Sequence, residues 1–102
     1  MTTSLLSEYD EGGMTAEDAI DAARLANIID TLARVAKNRM PHVLAGAARM
    51  AVADLAASMA QPSTRRMLFL LDAVEVEATE ADTTGNAAAA VDAFRDALGD
   101  VA

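Results

Sequence analysis

The side chains able to do chemistry are few, and their spacing suits none of the common reactions. His42 is the single histidine and the chain has no cysteine. That excludes a disulfide and a thiolate metal site. A ferritin-like di-iron centre needs Glu-x-x-His pairs on facing helices, and no such pair occurs. A Ser-His-Asp relay could run only through His42, yet the nearest serine downstream, Ser58, lies about four turns further along the same expected helix. The carboxylates Glu75, Glu77 and Glu80 do not share one helical face. Neither a GxxxxGK[ST] nor a GxGxxG phosphate loop is present. No catalytic, cofactor-binding or metal-ligating residue is therefore assigned, no cofactor is expected, and the chain does not read as an enzyme.

Charge is the more informative chemistry. The 102 residues carry a net charge of −8, laid out in three blocks. Residues 1–22 sum to −6, residues 23–66 to +5 and residues 67–102 to −7. The bases Arg34, Lys37 and Arg39 surround an expected turn at Pro41, where a helical hairpin could meet DNA. Only Tyr9, Phe69 and Phe94 are aromatic, so there is no stacking platform for single strands. The overall acidic balance also opposes attraction to nucleic acid or to an anionic membrane. Nucleic acid is not an expected partner. The acidic C-terminal third, from Glu75 to Asp100, invites the opposite reading of a nucleic-acid mimic. An acidic surface is also the ordinary device for solubility.

The elements that must position these groups are helices. Alanine accounts for 25 residues and has the highest helix propensity, whereas Leu, Ile, Val and Phe together number 22. The chain is thus rich in helix formers and poor in core. Residues 1–13 read as a flexible acidic tail closed by Gly12-Gly13, and 14–102 as one helical domain. Thr15-Ala16-Glu17-Asp18 resembles a capping box. A first helix is predicted over about 15–39, with Leu25, Ile28, Leu32 and Val35 on its apolar side. Pro41 breaks it and opens a second, over about 42–60. That helix is apolar or small on most sides, which predicts that it is the central and most buried element, with Ala47, Ala51 and Leu55 inaccessible. Gln61-Pro62-Ser63 is the next break, with Ser63 or Thr64 as N-cap. A third helix covers about 64–81, although Val74–Thr79 alternates as a strand would. Asp82–Asn86 links it to a shorter fourth helix over about 86–98.

The expected fold is all-α, an antiparallel bundle of three main helices plus a shorter C-terminal helix. Successive helices joined by short connections would be neighbours. Arg34, Lys37 and Arg39 would then face Glu75, Glu77 and Glu80, while Arg65 and Arg66 would face Glu17, Asp18 and Asp21. The expected function is a non-catalytic protein–protein interaction or assembly module, its partner a second copy or a larger host protein. The candidate docking residues are Leu5, Leu6 and Tyr9 in the tail and Val91, Phe94 and Leu98 in the fourth helix, two pieces with little local reason to stay put. The alternatives are a small acidic inhibitor of phage type, anti-CRISPR-like or a DNA mimic, and a nucleic-acid-associated packaging or regulatory subunit. The longest apolar stretch, Val43 to Ala60, is interrupted by Arg49 and Asp54 and is not expected to span a membrane. No basic run follows Met1, so a secretory signal is not expected. The expected setting is the cytoplasm of a bacterium or of a phage-infected cell.

Overall fold

A computed structural model describes residues 15–37 and 40–101. Among them the chain forms four helices and no strand: α1 (Ala16–Lys37), α2 (Pro41–Ser58), α3 (Thr64–Ala81) and α4 (Asn86–Val101). The expected tail, with Leu5, Leu6 and Tyr9, lies outside the described residues, as does Arg39.

Local chemistry sets the helix ends. Thr15 and Asp18 form the reciprocal capping box that opens α1. The Thr15 N–H donates to Asp18 Oδ2 and the Asp18 N–H to Thr15 Oγ1, each at 3.1 Å. Two of the orphan donors of the first turn are satisfied in this way. Pro41 occupies the first turn of α2, where its missing N–H is not needed. The helix ends at Ser58, short of the expected residue 60, because Met59 turns to extended backbone ahead of the restrictive Gln61-Pro62 step. Ser63 caps α3 by accepting from the Arg66 N–H at 3.1 Å. The alternating run Val74–Thr79 is helical, and Thr79 fits there by donating back to Glu75 O at 2.9 Å.

The link from α3 to α4 is built on one carboxylate. Asp82 Oδ1 accepts from the Thr84 N–H at 2.9 Å and Oδ2 from the Ala87 N–H at 2.9 Å. Gly85 stands at φ +88°, a left-handed conformation that a side chain would strain. The hydrogen bonds from Thr84, together with the Ala87 N–H, hold the Asp82 carboxyl below its ordinary 3.8. A carboxylate with a depressed pKa stabilises the fold above its unfolded value and loses that contribution as pH falls through the folded value. Asp82→Ala is therefore expected to be less stable than wild type at neutral pH. The gap should start to close below about pH 3.8 and vanish at lower pH. Thermal melts of both proteins across this range check it, and a gap that does not change with pH would count against the carboxylate.

Helix packing departs from chain order. α1 and α4 form the central pair, and α2 and α3 flank it without touching each other. Leu25, Ile29 and Leu32 of α1, Val52 and Leu55 of α2, Leu70 and Leu71 of α3, and Val91, Phe94 and Leu98 of α4 make the core. Two expectations are corrected here. The buried line of α1 runs through Ile29, with Ile28 and Val35 half-buried beside it. The central helix is not α2, which buries only Ala48, Val52 and Leu55 and leaves Ala47 and Ala51 half-buried. Burial rewards area at about 25 cal/mol per Å², and a helix that is mostly alanine has little area to gain. α4 carries the larger side chains Phe94 and Leu98, while Ala87, Ala90 and Ala97 let its neighbours approach. It also runs to Val101, beyond the expected residue 98.

Candidate interaction surface

Several of the charged groups hold helices together. At one end of the bundle Asp18 and Asp21 are buried at the start of α1. Arg66, in the first turn of α3, forms an ion pair with Asp18, so the starts of α1 and α3 meet. Arg24 binds Asp21 at 3.2 Å and donates to Ser58 O at 3.1 Å, which ties the end of α2 to α1. Between α3 and α4, Arg95 reaches Glu75 at 2.5 Å and Asp72 at 3.5 Å. Arg49 lies 3.6 Å from Asp100.

At the opposite end Arg34 and Lys37 line one hollow with Glu77 and Asp82 but form no ion pair with an α3 acid among the described residues, and Arg39 lies outside them. Arg34 pairs with Asp30 one turn back on its own helix, at 3.0 Å. Lys37 is exposed, and no ion pair joins it to a described acid. Glu77 and Glu80 are exposed and likewise unpaired among the described residues, while Glu75 is taken by Arg95. The reason is geometric: an i, i+4 partner sits within reach of Arg34 without any tertiary contact.

The docking residues expected on α4 are corrected too. Val91, Phe94 and Leu98 are sealed in the chain's own core, and Phe94 is 0% exposed. A residue with no accessible surface cannot cover a partner. Of the two pieces with little local reason to stay put, α4 is held by its own bundle, and the tail is outside the described residues.

Catalytic geometry does not assemble among the described residues. His42 is exposed at the start of α2 and Ser58 closes the same helix, about 24 Å away along its axis. No three His, Asp or Glu side chains among the described residues gather to hold a metal ion. No described helix is long and apolar enough to cross a membrane.

What remains is apolar surface. A groove of about 410 Å³ lies between α1 and α3, lined by the buried Ile29 and Val74 together with Ala26, Ala33, Lys37 and Glu77 among others. A second hollow of about 350 Å³ lies between α1 and α2, beside Ile28, Ala47 and Met50. The third feature is a stripe on α3. Phe69 is 41% exposed and Val76 60% exposed, with the exposed Ala73 between them. Positions 69, 73 and 76 fall on one side of a helix, opposite Met67, Leu70, Leu71 and Val74, which face the core. α3 thus carries apolar side chains on two opposite sides. The i, i+4, i+7 spacing of 69, 73 and 76 was the signal that separates the two stripes. Comparison with protein-family models, with curated proteins and with solved structures gives no match for this chain.

Proposed function

We propose that this protein is a non-catalytic interaction module, an antiparallel helical bundle that presents one apolar helix face to another protein. The observation that carries the reading is the outer stripe of α3. Its inner face already fills the core, and Phe69 and Val76 leave 41% and 60% of their surface in water. Large apolar side chains lined up in water are a mark of association surfaces. The antiparallel arrangement is supported by the end-to-end contacts of Arg24 with Ser58 and of Arg66 with Asp18. The acidic C-terminal third is a poorer candidate for mimicry of nucleic acid. Glu75 is paired with Arg95, Asp100 lies near Arg49 and Asp82 caps α4, which leaves Glu77, Glu80, Asp92 and Asp96 as its unpaired acids among the described residues.

The test is quantitative capture. Tagged wild-type protein should retain a stoichiometric protein, itself or another, and the Phe69→Lys/Val76→Lys variant should lose it while its circular dichroism is unchanged. Wild-type protein that retains neither a second copy nor any other protein in stoichiometric amount removes the reading.

A further inference from the structure

We propose that the partner of the α3 outer stripe is a second copy of this chain, bound antiparallel about a two-fold axis that passes between Asp72 and Ala73. The inference deepens the interaction-module reading and rests on it.

The stripe has a symmetry of its own. Arg65, Phe69, Asp72, Ala73, Val76 and Glu80 are all exposed and lie within one face of α3. An isologous contact sets each residue against the one equally far from the centre on the other chain. About a centre between Asp72 and Ala73, Phe69 falls opposite the partner's Val76, Asp72 opposite the partner's Ala73, and Arg65 opposite the partner's Glu80. Apolar meets apolar in the Phe69–Val76 layer and base meets acid in the Arg65–Glu80 layer, each twice over. A small residue sits at the crossing point, where the two backbones approach most closely.

The electrostatics of α3 point the same way. Its first turn carries the bases Arg65 and Arg66, and its later turns carry Glu75, Glu77 and Glu80. Both ends oppose the helix dipole. Within the chain this is relieved at Arg66 by Asp18 and at Glu75 by Arg95. Arg65 and Glu80 have no ion pair to any described residue. An antiparallel second copy brings the acidic end of one α3 beside the basic end of the other and supplies both missing partners. At the centre the two Asp72 carboxylates approach each other, and Arg95, 3.5 Å from Asp72, offsets their repulsion.

One helix pair is a small interface, so the dimer is expected to be reversible and salt-sensitive. Sedimentation equilibrium of the full chain tests it. Phe69→Lys removes two rings from the interface and is expected to raise the dissociation constant at least about a hundredfold. Arg65→Glu and Glu80→Arg are each expected to weaken the dimer about tenfold or more, because like charges then meet twice. The double variant Arg65→Glu/Glu80→Arg should recover wild-type affinity, and an equimolar mixture of the two single variants should pair with each other. All of these sites are exposed, and unchanged circular dichroism confirms that the variants fold. A wild-type chain that is monomeric up to its solubility limit overturns the proposal. So does a dimer indifferent to Phe69→Lys, or one weakened by both single charge reversals and not recovered in the double variant. A monomeric chain that still captures a different protein through Phe69 overturns the dimer alone and leaves the interaction-module reading standing.

Discussion

Replacing Phe94 by alanine is expected to cost about 3–5 kcal/mol and to lower the melting temperature by roughly 12–40 °C for a domain of this size. Phe94 is the largest fully buried side chain, and it sits on the central helix between α1, α2 and α3. Its removal opens a cavity that alanine-rich neighbours cannot fill, since Ala90 and Ala97 have no side-chain length with which to collapse into it. Domains are stable by only about 5–15 kcal/mol, so the loss is a large share of the total. Thermal and urea unfolding followed by circular dichroism measure it. A cost under about 1 kcal/mol would show that α4 is not the hub of the core. The effect is on folding itself: a change at Phe94 touches association only through loss of the fold.

The second large effect belongs to the buried ion pair. Asp18→Ala is expected to cost about 3 kcal/mol, from two sources. It strands the Arg66 guanidinium, whose side chain is only 23% exposed and whose Nε is buried without a hydrogen-bond partner. It also dismantles the capping box with Thr15, which alone is worth about 1 kcal/mol. Asp18→Asn keeps an oxygen for the Thr15 N–H and should lose distinctly less than Asp18→Ala. A double-mutant cycle with Arg66→Met isolates the pair itself. A coupling below about 0.5 kcal/mol would mean that the two charges merely coexist.

Features set within a few residues of one another were legible in the sequence. The Thr15–Asp18 box and the Ser63 cap each follow from one or two side chains satisfying local backbone groups, and the start of α2 at Pro41 follows from proline's own geometry. The span of α3 was read to the residue. The meeting of Arg66 with Asp18 was also legible, because a base at a helix N-terminus asks for an acid from elsewhere. Which helices touch was not. Alanine faces pack acceptably against many neighbours, so α2 advertised burial on all sides that its small area does not reward. α4 looked marginal alone and is central because Phe94 and Leu98 are framed by Ala87, Ala90 and Ala97. The candidate surface was not visible: docking was expected at Leu5, Leu6, Tyr9, Val91, Phe94 and Leu98, and only the placement of Leu70, Leu71 and Val74 in the core shows which side of α3 is left over.

The central pairing of α1 with α4, with α2 and α3 held apart, bears on how the chain reaches its fold. A hairpin of α1 with α2 builds only part of the core and α2 with α3 builds none, because the three earlier helices all pack against α4. Bringing Leu25 to Leu98 closes a long loop before any contact rewards it, which slows folding. During synthesis at roughly 5–20 residues per second, α1 waits on the order of 3–15 seconds for α4. Throughout that wait Leu25, Ile29, Leu55 and Leu71 have nothing to complete their burial. Packing of α1 on α2 and α3 can precede α4, but the core is complete only once α4 is in place.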